Sequence, residues 1–272
     1  MNSKKYIIIG RFWMEMSLIF LLFSCTEEVD PPDIAGEDLI VVNSIISSSF
    51  EQIVVEVSRS QKSFGVLANS FNGDDLITDA VVLIIDENSV GTQLPYNRDS
   101  GHYAISSAIF PLTAGKTYGL SVVADNQTLF AQTTVPFKAQ KIEHTVNIFE
   151  IEISWLDFPD VENYYRIVAQ GRITRFEFWD TFDFHSDEFV SDANGDGEKL
   201  LARAETFSTR LGYDSVAYRV ISSGEIYHDY FKILSNFDSE NPFSNPVRLP
   251  SNVDNGLGIF AAIQVSEFIG KR

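Results

Sequence analysis

The sequence predicts a mainly β protein made of two β-sandwich domains, and three observations carry that reading. Short β-branched runs recur between turn residues along most of the 272 residues, the spacing of stacked antiparallel sheets. Only residues 223–237 carry a helical apolar period instead of an alternating one. The apolar fraction is 44%, with 22 Phe and 10 Tyr, so cores can be filled although the chain holds 1 Cys.

That single cysteine ends the segment Leu22-Phe23-Ser24-Cys25, which closes the apolar run 16–23. Lys4, Lys5 and Arg11 precede the run, which is shorter than the roughly 20 residues a membrane helix needs. A basic region, an apolar run, a small residue and a Cys together resemble a bacterial lipoprotein signal with its lipobox. The resemblance implies a signal peptide over 1–24 and lipidation of Cys25. One acyl chain holds a membrane only marginally, whereas several chains on one residue anchor it stably. Residues 25–37 then read as an acidic tether, with Glu27, Glu28, Asp30 and Asp33 around Pro31-Pro32. Acids directly behind the Cys resemble the export signal that sends some lipoproteins to the outer face of the outer membrane.

The net charge is −18 for the whole chain. Without residues 1–24 there remain 17 basic against 37 acidic residues, or −20. A surface this acidic repels phosphate backbones, so nucleic acid is excluded as a partner.

The first sandwich is expected over 38–136. Residues 39–46 and 53–57 are β-branched runs joined across Ser47-Ser48-Ser49. Residues 80–85 form a continuous apolar run between acids and read as a central strand. Strands at 101–105, 118–124 and 128–135 follow, with Asp125-Asn126-Gln127 as a hairpin turn. The order "DAVVLIIDENS", "SGHYAI", "PLTAGKTYGLSVVADNQTLFAQTTVP" resembles the small transthyretin-like and carboxypeptidase-regulatory sandwiches. Residues 60–78 make a long polar loop holding Phe64, Leu67 and Phe71, which would be a mobile loop or a binding edge.

Val135-Pro136-Phe137 marks a boundary, and a second sandwich is expected over 137–272. Residues 142–146 and 148–155 alternate, with Ile151, Ile153 and Trp155 on one face. Asp157-Phe158-Pro159-Asp160 turns, and residues 164–168 return. A Trp closing one strand before a Tyr-rich strand resembles the start of a fibronectin type III sandwich, with the Trp in the core. Residues 171–212 look like an insertion, and 215–222 read as a strand. The helix 223–237 opens on a capping box, Ser222 with Glu225, and lines up Ile226, Tyr230, Ile233/Leu234 and Phe237. Asn241-Pro242 ends it, and Asp254-Asn255-Gly256 turns into a last strand at 257–265, where Gly258 permits close backbone approach.

The closing text "NPFSNPVRLPSNVDNGLGIFAAIQVSEF" resembles the end of an outer-membrane lipoprotein family catalogued as domain of unknown function 4249. The likeness extends back through "EIYHDYFKIL", "FVSDANGDGE" and the first sandwich to the lipobox. Glycines are commoner in that family where this chain has Ala261-Ala262. Members are typically encoded beside TonB-dependent outer-membrane receptors, so the resemblance implies an accessory role in uptake. It supplies no catalytic residues.

Two stretches carry candidate chemistry. Asp192-Ala193-Asn194-Gly195-Asp196-Gly197 places oxygens at alternate positions with Gly sixth, like the first half of an EF-hand calcium loop. The twelfth position is Arg203 in place of a carboxylate, so Asp192, Asn194 and Asp196 make at best a calcium site of another shape. An ordinary surface turn is the competing reading. In the insertion, Asp183, His185 and Asp187 alternate and on a strand would share one face, where they could hold a metal. The same alternation with Phe182 and Phe184 is also that of an ordinary two-faced strand. Trp179, Phe182, Asp183 and His185 are the expected contact surface for a partner.

The expected function is therefore that of a non-enzymatic, lipid-anchored outer-membrane protein displayed at the cell surface, an accessory to a TonB-dependent receptor. A structural envelope protein and a surface hydrolase of glycans or peptides are the alternatives. No nucleophile elbow or phosphate-binding glycine loop occurs, and the four histidines are scattered.

Overall fold

Alternation sets the first elements. In β1 (Ile40–Ile46) and β2 (Gln52–Arg59) every second residue is buried, so one face of each looks into a core. The computed structural model describes residues 39–60, 75–146, 150–173, 178–193, 195–205, 214–237 and 248–271. Cys25 and the tether, the apolar loop residues Phe64, Leu67 and Phe71, and the Asn241–Pro242 helix stop lie outside them.

The following strands are β3 (Val81–Ile85), β4 (Gly91–Leu94), β5 (Tyr96–Asn97), β6 (His102–Ser106), β7 (Thr117–Ala124) and β8 (Gln127–Thr134). Asp125 and Asn126 both take positive φ between β7 and β8, the left-handed pair that a two-residue hairpin needs. The second half adds β9 (Gln140–Val146), β10 (Glu150–Leu156), β11 (Tyr164–Ile173), β12 (Phe178–Thr181), β13 (Phe189–Ser191), β14 (Lys199–Glu205) and β15 (Ser215–Ser223). After the helix α1 (Glu225–Ser235) the 15-residue β16 (Leu257–Lys271) closes the chain.

The fold is mainly β, with two sandwich cores. One long sheet runs β12-β11-β15-β16-β1-β2-β6-β5 and is covered on one face by two smaller sheets, β4-β3-β7-β8 and β14-β10-β9. Val42, Val55, Val57 and Tyr103 of the long sheet meet Val82, Leu120, Val122 and Leu129 in the first core. Tyr165, Ile167, Tyr218 and Val220 meet Ile151, Ile153, Trp155 and Ala202 in the second. Val135 belongs to the first core and Ala139 to the second, so the chain crosses between them around Pro136. It also crosses back, because Val253, Phe260 and Ala262 pack in the first core.

β16 makes that return. Residues 257–262 pair parallel with β1, and residues 263–271 pair antiparallel with β15. Its even residues Phe260 and Ala262 face the first core, while Ile259, Ala261 and Ile263 face α1. Burial on both faces explains the unbroken apolar run there. Gly258 sits at φ +111°, and a Cβ on it would lie 2.0 Å from the Val42 carbonyl oxygen. The Asn252 carboxamide completes the strand: its Nδ2 donates to the Phe260 carbonyl at 2.8 Å, and its Oδ1 accepts from the Phe260 N–H at 2.9 Å.

Two expectations need correction. The capping box does not form, because Ser222 and Ser223 still belong to β15; Gly224 is the N-cap and no side chain caps the helix. Ser222 Oγ accepts from the Ala139 N–H instead. The buried helix residues are Tyr227 and His228, whereas Leu234 and Phe237 are 42% and 39% exposed. The stretch read as an insertion is woven into the sandwich, since β14 pairs along the whole of β10.

Asn252→Ala leaves two backbone groups of Phe260 without partners and is expected to cost about 2–4 kcal/mol. Gly258→Ala, which meets backbone at a positive φ, is expected to cost at least about 3 kcal/mol. Urea denaturation of the three proteins checks both the sign and the order.

Candidate functional site

Three places bring chemistry-bearing residues together. The first is the turn after β10. Asp157 is fully buried; its Oδ1 accepts from the Tyr165 hydroxyl at 2.5 Å and its Oδ2 from the Gly197 N–H at 2.9 Å. Asp192 Oδ2 accepts from the Asn163 N–H at 2.8 Å, and both Asp196 oxygens accept from the Asp160 N–H. Carboxylate oxygens of Asp157, Asp192 and Asp196 come within 4.8 Å of one another.

The calcium expectation thus changes its donors. Asn194 lies outside the described residues, and the third acid is Asp157, forty residues back from Gly197. Hard oxygen donors of this kind suit calcium. The donors already present hold the two loops together without a cation. Burial raises the Tyr165 hydroxyl pKa, and its hydrogen bond to Asp157 raises it further. Burial also raises Asp192, with the charges of Asp157 and Asp196 adding to it against the hydrogen bonds from Asn163.

The second place is the expected contact surface, of which Asp183 and His185 stand at the surface and Phe182 does not. Phe182 and Phe184 are 5% and 3% exposed and belong to the second core. Asp183, His185 and Asp187 do not share a strand face, because residues 185–188 form a 3-10 turn opened by His185 at φ +47°. Asp183 pairs with His185 at the surface, and Asp187 accepts from the Arg203 N–H. Trp179 lies on β12, and its side chain is outside the described set. The aromatic half of the alternation is core, and its polar half is occupied by local hydrogen bonds.

The third place gave no signal in the sequence. Outward residues of β1 (Val41, Asn43), the start of β16 (Leu257, Gly258), the last turns of α1 (Tyr230, Ile233) and residues 248–251 line a cleft of about 610 Å³. Asn43 Oδ1 is buried there without a partner among the described residues. A second hollow of about 430 Å³ lies on the same sheet face against Phe50, Ile221, Ile263 and Val265, and its Arg219 is paired with Glu267 at 2.9 Å. Beneath α1, His228 is 5% exposed, with Nδ1 3.0 Å from Asp229 and its ring against Tyr164 and Phe189.

Fold and cleft define a class: a two-core β-sandwich protein with a largely apolar cleft under its one described helix. The chain belongs to the family described as a domain of unknown function, DUF4249, whose model matches residues 26–269. No curated protein matches the chain. Among solved structures it is similar to a two-domain fibronectin type III segment of chicken tenascin, at 12% identity and a TM-score of 0.24, covering 87% of this chain and 100% of that one. It is also similar to a putative carbohydrate binding protein from Bacteroides uniformis, at 10% identity and a TM-score of 0.24, covering 69% and 90%. A DUF3823 family protein from Parabacteroides merdae matches at 9% identity and a TM-score of 0.23, covering 68% and 92%.

The Asp192 shift fixes a pH dependence. A carboxyl whose folded pKa exceeds its unfolded value binds protons more readily when folded. Its charge therefore weakens the fold at neutral pH, and the penalty fades as pH falls through the raised value toward 3.8. Asp192→Asn keeps an acceptor for Asn163, and its stability relative to wild type is expected to be most favourable at pH 7 and to decline toward pH 4. Denaturation midpoints across that range check it.

Proposed function

We propose that the protein is a non-enzymatic lipoprotein, anchored through Cys25 in the outer membrane, displayed at the cell surface and acting with a TonB-dependent receptor in nutrient binding or uptake. The observation that carries this reading is the start of the family match at residue 26, directly behind Cys25. The family's shared unit is then what a lipoprotein cleaved before Cys25 would retain. Residues 25–37 separate the lipid from β1, a reach of at most on the order of 45 Å, which suits a domain held near a membrane receptor. No helix among the described residues is long and apolar enough to cross a membrane, and a lipid anchor needs none.

Replacement of Cys25 by Ser is expected to move the protein from the membrane to the soluble fraction. Detergent extraction of tagged wild type from native outer membranes, followed by mass spectrometry, is expected to recover a TonB-dependent receptor in stoichiometric amount. Recovery of the lipoprotein alone would count for the structural envelope role instead.

The calcium reading is kept within this proposal with Asp157, Asp192 and Asp196 as donors. Millimolar calcium is expected to raise the thermal midpoint by a few degrees in wild type and less in Asp196→Asn, whose site is exposed. An unchanged wild-type midpoint would leave the three acids as a hydrogen-bonded clasp only.

A further inference from the structure

We propose that the C-terminal half of β16 is a docking edge for an extended peptide segment of a partner protein, apolar at alternate positions and flanked by basic residues. β1 pairs with β16 only as far as Ile46, opposite Ala262. The chain then turns away through Ser47–Phe50, a turn held beside the strand where Ser48 Oγ donates to Gln264 Oε1 at 2.9 Å. From Val265 to Lys271 the strand keeps β15 along one edge and has no described strand along the other. Roughly 23 Å of backbone therefore turns alternate N–H and C=O groups to an open edge. An extended chain laid in the lane that β1 vacates satisfies them, which is how sheets recruit peptides.

Open edges invite pairing, and folded proteins blunt or cover them. The other edges of this fold follow that rule. β8 is covered by residues 252–255, where Phe130 bridges Asp254 and Asn255 Nδ2 donates to the Thr128 carbonyl at 3.1 Å. β14 is covered through the bridge of Asp183 with Glu205 and the Arg203 N–H on Asp187. β9 has Lys141 at φ +46°, a register shift against β10, and Lys141, Glu143 and His144 exposed along it. β4, β5 and β12 are only 4, 2 and 4 residues long. β16 has none of these defences. Its pairing with β15 runs without a break to Lys271, and Phe268 and Ile269 are 41% and 73% exposed. Between Gln264 and Gly270 the one charged residue is Glu267, which Arg219 pairs at 2.9 Å.

The surroundings of the edge specify the occupant. The second hollow, of about 430 Å³, lies over this part of the strand and is walled by Phe50, Ile221, Ile263 and Val265. Side chains of an added strand alternate between the two faces of the sheet. Every second one therefore points to the side of the hollow, where apolar groups are buried best. The chain's net charge of −18 attracts basic residues around that apolar pattern. The same charge opposes a second copy of this chain as the occupant, because the two would repel.

The inference does not rest on the receptor reading, since peptide binding is measured on the full chain in mild detergent with no receptor present. The probe is fluorescein-labelled Lys-Lys-Val-Thr-Val-Thr-Val-Lys-Lys, followed by fluorescence anisotropy. Saturable binding is expected. The same peptide N-methylated at its five central residues keeps its charge but loses the donors of both edges, and should bind at least tenfold more weakly. A version with Glu in place of each Lys should also lose at least tenfold. Ile269→Lys, at an exposed position, should keep the circular dichroism spectrum and thermal midpoint of wild type and lose at least tenfold in affinity. Phe50→Ser, which removes an apolar wall of the hollow without changing charge, should lose about fivefold. No saturable binding, equal binding of the N-methylated peptide, or wild-type affinity in either variant overturns the inference. Dimerisation of the wild type that Ile269→Lys abolishes would put a second copy on the edge and overturn it as well.

Discussion

The structure depends on the parallel pairing of the first described strand with the last. β1 and β16 approach so closely at Val42 and Gly258 that there is no room for a Cβ. That contact joins the sheet that both smaller sheets lie on. Parallel neighbours cannot be made by a hairpin and need a crossover. Here the crossover is nearly the whole chain. The first core therefore lacks Phe260 and Ala262 until the final strand arrives. Loop closure on that scale comes late and slows folding.

The same strand sets the position of the helix. Period-2 alternation sends Phe260 and Ala262 to one side and Ile259, Ala261 and Ile263 to the other. A strand apolar on both sides must be covered on both. The 4-stranded sheet covers one side and α1 the other. Ala261 and Ala262 are both fully or almost fully buried, so their small size is a packing requirement at the crossing of three layers.

What was legible in the sequence follows from range. The β7–β8 hairpin is a local event, fixed by Asp125-Asn126, and the turn lies where those residues predict it. The alternation of its own strand places Trp155 in the core, and it is fully buried. β14 is not legible in the sequence, because "KLLARAE" carries a weak alternation and becomes a strand by pairing with β10. The capping box failed for a related reason. Ser222 and Glu225 have the right spacing, but β15 extends through Ser223 and takes both serines into other hydrogen bonds. Tertiary pairing overrode a local motif worth about 1 kcal/mol. The insertion misleads through its own alternation: Phe182, expected on the contact surface, shares with Phe184 the periodicity of a buried face.

The candidate sites were illegible for a different reason, which also bears on their chemistry. Asp157 joins Asp192 and Asp196 only because the turn after β10 folds onto the loop after β13. The cleft joins β1, α1, residues 248–251 and β16, which no spacing rule connects. A site assembled from segments this far apart exists only when the parallel β1–β16 contact has formed, because that contact brings Val41 and Asn43 beside Leu257 and Gly258. Loosening that contact would therefore disturb the cleft together with the first core, which Phe260 and Ala262 complete.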